Sequence, residues 1–147
     1  MAKALVLYTT RTGETRSMAQ KIAEGMRSCG VEVTLLNISD FDAKMTDPQS
    51  YDAIVLGSPT YHGEMTQPMK DLLFALAEFN LEGKVGGAFG AFGWSGEVPG
   101  RIYGTMKHVF KMDMASGPLQ LKSASSGMGA RSAQNYGIEI ASKIKSE

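Results

Sequence analysis

The sequence has a single cysteine, Cys29, so it holds neither an intrachain disulfide nor a metal site built from several cysteines. An excess of either charge is also lacking, since 15 Lys and Arg balance 15 Asp and Glu. Electrostatic binding to nucleic acid or to an anionic membrane therefore has no support. No apolar run approaches the ~18 residues that cross a bilayer, and the first residues lead into a strand-like run without a signal peptide. We expect a cytoplasmic protein with neither nucleic acid nor membrane as a partner.

What is present is an ordinary globular composition, with 43% hydrophobic and 20% charged residues over 147 positions. That length suits one domain, which we place at residues 1–147. Short apolar runs alternate with segments of helical spacing, as in α/β proteins. Strands are predicted at 4–8, 31–35, 53–56, 85–92 and 119–121, and helices over 18–26, 68–76, 99–110 and 133–144.

The second and fifth runs alternate apolar with polar residues, which is typical of edge strands. A five-stranded parallel sheet ordered 2-1-3-4-5 places these two outside and has helices on both faces. In such a three-layer fold, ligands bind beyond the carboxyl ends of the strands, near the switch between strands one and three. The loops after strands one, three and four are therefore where a functional site is expected.

The loop after strand one crowds four threonines and a glycine into residues 9–15, directly before a helix. Free backbone N–H groups and the positive end of the helix dipole favour an anion there, and the hydroxyls add donors. This composition favours a phosphate site over the alternative of an ordinary Thr-capped helix. Glu14 would place a carboxylate beside that phosphate and weaken its binding unless the side chain points outward.

Other phosphate-binding patterns are missing. The loop lacks the Gly-x-x-x-x-Gly-Lys-Ser/Thr spacing of a P-loop, and no complete Gly-x-Gly-x-x-Gly occurs. A phosphotyrosine-phosphatase-like site needs a cysteine in the first loop, and a receiver domain needs acidic residues after strands one and three. Neither set of residues is present at those positions.

The loops after strands three and four each present an aromatic residue among small ones. Tyr61 and His62 stand in the first, and Trp94, the only tryptophan, stands in the second. Such loop aromatics can enclose a flat ring, and neighbouring glycines allow close approach of backbone. The alternative is that Trp94 and Tyr61 simply pack against the sheet edge or a partner.

Taken together, the three loops resemble those of flavodoxins, over nearly the whole chain. The run 10–15 matches the phosphate-loop pattern Ser/Thr-x-Thr-Gly-x-Thr of that family. Ser58-Pro59-Thr60 and the run 92–96 are most similar to the flavodoxin module of flavodiiron proteins, although two histidines and 147 residues leave no room for a diiron domain. With no long insertion in the fifth strand, the chain is similar to short-chain flavodoxins.

The resemblance implies one non-covalent FMN and no metal. Its phosphate would lie in the first loop, and its ring between the other two, with Trp94 and either Tyr61 or His62 as walls. Either Gly63 or His62 would face the flavin N5. The cofactor-binding residues that the resemblance implies are Thr10, Arg11, Thr12, Gly13, Glu14, Thr15, Ser58, Pro59, Thr60, Tyr61, His62, Gly63, Ala91, Phe92, Gly93, Trp94, Ser95 and Gly96.

The function that the resemblance implies is low-potential transfer of single electrons between redox enzymes, with no catalytic residue of the chain's own. Redox proteins would be its partners, and we expect a monomer. One alternative is an NAD(P)H-dependent FMN or quinone reductase of the flavodoxin-like superfamily, which would need room for a second planar ligand. The other is a binding module that kept the fold and lost the cofactor.

Overall fold

A computed structural model describes residues 2–10, 13–61, 64–91, 97–121 and 127–145, with only the backbone of Tyr61. The strands are β1 (Lys3–Tyr8), β2 (Glu32–Asn37), β3 (Ala53–Gly57), β4 (Thr60–Tyr61), β5 (Glu64–Met65), β6 (Val85–Ala91), β7 (Asp113–Met114) and β8 (Leu119–Leu121). The α-helices are α1 (Glu14–Ser28), α2 (Gln67–Leu76), α3 (Glu97–Gly104) and α4 (Gly127–Lys145). Short 3₁₀ turns lie at Ile38–Asp40 and Pro48–Ser50, and Thr105–Val109 continue α3 as a π-helix.

The main sheet confirms the predicted architecture. Its order is β2-β1-β3-β6, with β7 and β8 both pairing along the free side of β6, and every pairing is parallel. The predicted fourth strand is β6, and the predicted fifth corresponds to β8. The pairing of β1 with both β2 and β3 is the topological switch at which a ligand site is expected.

Helices cover both faces of this sheet, which explains the unbroken apolar runs of the central strands. Ala4, Val6 and Tyr8 pack in the layer of α1 and α4. Leu5 and Leu7 pack in the layer of α2 and α3. Burial of each large aliphatic side chain contributes about 1.5–3 kcal/mol. In contrast, β2 lies at an edge and its residues are mostly half-buried, as its alternating pattern predicts.

Glycines set the close packing of α1 against α4. A Cβ on Gly25 would lie 2.1 Å from the carbonyl oxygen of Gln134, and one on Gly137 would lie 2.1 Å from that of Ile22. Both distances are far below any van der Waals contact, so the two helix backbones touch only because neither glycine carries a side chain.

The outer strand differs from the sequence prediction, which gave 119–121 alone and missed β7. Strand β7 pairs with Val85 and Gly86, and β8 pairs with residues from Phe89 onward. Across the gap, the Tyr136 hydroxyl donates to the carbonyl oxygen of Ala88 and accepts from its N–H group, both at 3.1 Å. This side chain from α4 replaces the missing strand residue. Burial raises the pKa of Tyr136 to about 12.

Two further local features differ from prediction. Helix α3 begins at Glu97, two residues before the proline from which the sequence predicts its start. The hairpin of β4 and β5 was not predicted, because each of its strands is only two residues long. Across the described ranges, no helix is both long enough and apolar enough to span a membrane.

Candidate functional site

The first loop begins where the buried strand β1 ends. The Thr10 hydroxyl accepts a hydrogen bond from the Gly13 N–H at 2.9 Å, which closes the loop before α1. Gly13 has φ 92, in the left-handed region that a glycine adopts without strain. Its carbonyl oxygen in turn accepts from the backbone N–H of Ser17 at 3.0 Å and from its hydroxyl at 3.1 Å. The start of α1 is thereby fixed at the carboxyl end of β1.

This helix start has no side-chain cap. Gly13 occupies the N-cap position and, as a glycine, has no side chain that could accept a hydrogen bond from the first-turn N–H groups. The first-turn N–H groups of an α-helix have no partner within the helix. An anion at this position would satisfy them and would also be favoured by the helix dipole.

Three buried side-chain oxygens have no hydrogen-bond partner within the described part of the chain. They belong to Glu14, Thr15 and Thr60, which are all residues of the predicted loops. Thr15 is only 1% exposed. Because buried polar groups are nearly always hydrogen-bonded, the two hydroxyls are suited to donate to a ligand at this edge of the sheet. The phosphate and the hydroxyl-rich chain of FMN fit these donors, whereas the Glu14 carboxylate does not.

A cluster of buried hydroxyls joins the first loop to the loop after β3. The hydroxyls of Thr9 and Thr66 lie 2.8 Å apart, and that of Thr66 lies 3.5 Å from that of Ser58. The Thr9 N–H also donates to the Gly57 carbonyl at 3.0 Å. Thr66 is the N-cap residue of α2, yet its side chain makes no capping bond. Its hydroxyl instead holds the base of the β4–β5 hairpin against the end of β1.

The carboxyl ends of β3 and β6 are in close contact. A Cβ on Gly57 would lie 2.2 Å from the ring of Phe89, and one on Gly90 would lie 2.3 Å from the Ser58 carbonyl oxygen. The Ser58 N–H donates to the Phe89 carbonyl at 3.2 Å. Since the two strands are parallel neighbours, Ser58 and Ala91 emerge at the same edge of the sheet.

Charged side chains beside the hairpin form a chain of exposed ion pairs. Glu64 contacts Lys70 at 3.1 Å and Arg101 at 3.5 Å, and Arg101 contacts Glu97 at 3.3 Å. The hydrogen bond from Lys70, with the positive charges of Lys70 and Arg101, lowers the pKa of Glu64. The two carboxylates on this side of the site are therefore balanced by cations and form no acidic patch.

The structure places half of the predicted site residues. Thr10, Gly13, Glu14, Thr15, Ser58, Pro59, Thr60, the Tyr61 backbone and Ala91 lie at the carboxyl ends of β1, β3 and β6. The predicted residues Arg11, Thr12, His62, Gly63, Phe92, Gly93, Trp94, Ser95 and Gly96 lie outside the described residues. Sequence reasoning missed the roles of Thr9 and Thr66. A Thr directly before the helix of Pro68 indicates an N-cap, and nothing local shows that its hydroxyl bonds elsewhere.

Comparison with known proteins gives the family. The flavodoxin family model matches residues 6–136. The chain is 39% identical over 88 residues to a flavodoxin of Clostridium saccharobutylicum, covering 59% of this chain and 54% of that protein. It thus spans about half the length of this curated relative.

Solved structures agree with the sequence match. A flavodoxin from the domain Archaea superposes with a TM-score of 0.89 at 32% identity, covering 97% of this chain and 99% of that one. The flavodiiron protein of Giardia intestinalis gives a TM-score of 0.88 at 26% identity, over 98% of this chain and 36% of that one. The resemblance to the flavodoxin module of flavodiiron proteins is thereby confirmed. On the family-model match and these relatives, the chain belongs to the flavodoxin family.

Proposed function

We propose that this chain binds one FMN without a covalent bond and carries single electrons between redox proteins. The observation that carries the proposal is that the hydroxyls of Thr15 and Thr60 are buried and have no hydrogen-bond partner among the described residues, while the start of α1 has no side-chain cap. They lie at the switch point of the sheet, where the fold presents the carboxyl ends of β1 and β3 together.

In the proposed complex, the first loop holds the phosphate. The amides of the first turn of α1 and the hydroxyls of Thr10, Thr12 and Thr15 donate to it. The described residues of this loop include no cation. Backbone dipoles and hydroxyls would supply the positive potential that attracts the phosphate. FMN, once bound, supplies the one-electron redox chemistry.

The other two loops hold the ring in this proposal. Ser58, Pro59 and Thr60 form the base of one wall, and Ala91 begins the other. The hydroxyl cluster and the glycine contacts hold the ends of β1, β3 and β6 together, which gives the proposed ring site a rigid base. Redox proteins as partners, a monomeric state, a cytoplasmic location and one domain over residues 1–147 belong to the same proposal.

The proposal is tested by titrating the apoprotein with FMN and with riboflavin, following the quenching of flavin fluorescence. We expect one FMN per chain. Thr15→Val removes the hydroxyl and keeps the shape, and it should weaken FMN binding about tenfold or more, because a hydrogen bond to a charged group contributes about 1.5–3 kcal/mol. Riboflavin, which has no phosphate, should bind the variant as it binds the wild type, and Thr15→Ser should retain FMN affinity.

Electron transfer is tested separately on the FMN-loaded protein. We expect reduction through a partner reductase and no sustained oxidation of NAD(P)H when the chain and a quinone are the only other components. Sustained turnover in that mixture would instead establish the reductase function, and failure to bind FMN would establish a module that has lost its cofactor.

A further inference from the structure

Glu14 is an acidic residue inside a site otherwise built from donors. It is the first residue of α1, directly after Gly13, and its Oε2 is buried without a hydrogen-bond partner within the described ranges. A carboxylate oxygen can only accept hydrogen bonds. Glu14 therefore has no proton to donate to an anion bound at the first-turn amides.

The start of α3 provides a comparison. Glu97 is also an acid in a first helical turn, where the helix dipole favours negative charge. Its side chain is 64% exposed and is paired with Arg101 at 3.3 Å. An acid in the first turn can thus interact favourably with the helix dipole while its carboxylate stays exposed. The dipole alone does not explain why Oε2 of Glu14 is buried.

The neighbouring residue shows what the site is built to hold. Thr15 is 1% exposed, and its hydroxyl, which has no partner among the described residues, is available as a donor. Adjacent residues thus combine a buried donor, which attracts a phosphate, with a carboxylate whose Oε2 is buried and which repels one. Repulsion between charges is strong where water is excluded, so the effect falls on a bound phosphate and little on an uncharged ligand.

We propose that Glu14 lowers the affinity of the first loop for the FMN phosphate and so reduces the preference of the chain for FMN over riboflavin. This inference rests on the proposed function, since it concerns the phosphate of the same cofactor. Its consequence is a cofactor that exchanges more readily than the donors of the loop alone would allow.

The test compares Glu14→Gln with the wild type. The substitution removes the charge and keeps the size of the side chain. Glu32→Gln is the matched control, because Glu32 is exposed and begins β2, at the sheet edge opposite the ligand site. Each apoprotein is titrated with FMN and with riboflavin at low and at high ionic strength, and inorganic phosphate serves as a competitor.

We expect Glu14→Gln to bind FMN about tenfold more tightly than the wild type, which corresponds to about 1.4 kcal/mol. Inorganic phosphate should compete more strongly against FMN in this variant. Riboflavin affinity should stay within about twofold, and Glu32→Gln should match the wild type. The FMN difference should persist at high ionic strength, because salt screens buried charges only weakly.

Other results would overturn the inference. Equal or weaker FMN binding by Glu14→Gln, beside normal binding by the wild type, would refute the role of Glu14 and leave the proposed function intact. An equal gain for riboflavin would show that the effect is not electrostatic. If the wild type binds no FMN, the proposed function fails and this inference fails with it. Should Glu14→Gln not fold, Glu14→Asn tests the same loss of charge.

Discussion

Replacing Tyr136 by phenylalanine tests whether a side chain completes the main sheet. The variant loses only the hydroxyl, which makes two hydrogen bonds of 3.1 Å to the backbone of Ala88. The ring keeps its place against Gly87, where a Cβ would lie 3.3 Å from the tyrosine. Both the N–H and the C=O of Ala88 then lack a partner in the gap between β7 and β8.

The expected loss of stability follows from those two groups. Each unsatisfied buried polar group costs about 1–3 kcal/mol, so the loss of both partners should lower the free energy of unfolding by about 2–6 kcal/mol. That is a large part of the 5–15 kcal/mol that a typical domain possesses. Because Ala88 lies within β6 rather than at its carboxyl end, FMN affinity should be unchanged under conditions in which the variant is folded.

The pH dependence gives an independent check. Burial raises the pKa of Tyr136 from 10.0 to about 12, so the folded chain holds this proton more tightly than the unfolded chain. The contribution of the protonated Tyr136 hydroxyl to the free energy of unfolding is fully present below pH 10 and is lost as the pH rises through about 12. Two pKa units correspond to about 3 kcal/mol, and Tyr136→Phe should lack this part of the alkaline destabilisation.

The assay is urea unfolding of the apoprotein followed by far-ultraviolet circular dichroism, at neutral pH and in steps through the alkaline range. Tyr103→Phe is the control, because Tyr103 is half-buried and its hydroxyl has no hydrogen-bond partner in the described part of the chain. A loss below about 1 kcal/mol at neutral pH, or an alkaline slope equal to that of the wild type, would refute the bridging role of the tyrosine.

Two further substitutions, each with a control, test the packing of α1 against α4 and the hairpin beside the site. In the same urea assay, Gly25→Ala should destabilise the chain by several kcal/mol, because its Cβ would lie 2.1 Å from a backbone carbonyl oxygen. Gly100→Ala is the control. Its Cβ would point into open space on α3, so the substitution should raise the free energy of unfolding by about 0.4–1 kcal/mol. Thr66→Val should weaken FMN and riboflavin binding by similar factors, because it releases the hairpin from Thr9 and removes none of the proposed phosphate donors. Thr66→Ser keeps the hydroxyl and should bind both as the wild type does; a loss confined to FMN would contradict this assignment.

The sequence was sufficient to predict the central sheet because its strands are read from local pattern. Residues 4–8 and 53–56 are apolar throughout, and the structure buries them on both faces. The alternation over residues 31–35 predicts an edge strand, and β2 lies at the edge. In each case the hydrophobic pattern of the strand's own residues shows whether the strand lies at the centre or at the edge of the sheet.

The features that sequence reasoning missed depend on contacts between distant residues. Strand β7 has only two residues, and Ala88 is satisfied by a tyrosine 48 positions later. The Thr66 hydroxyl bonds to Thr9, which is 57 positions earlier, although its place before a helix indicates a cap. No local pattern distinguishes these uses of a hydroxyl from the ordinary ones.

The glycines of β6 show how residues without chemistry of their own position the site. Glycine normally weakens a strand, so its density over residues 86–90 is unfavourable on local grounds alone. In the folded chain, Gly90 admits the Ser58 carbonyl and Gly87 admits the ring of Tyr136. The first contact holds the end of β6 against Ser58, directly after β3, and the second lets Tyr136 complete the sheet. The local weakness of β6 is thus offset by tertiary contacts that only glycine permits, and these contacts fix the strand ends at which the proposed flavin site begins.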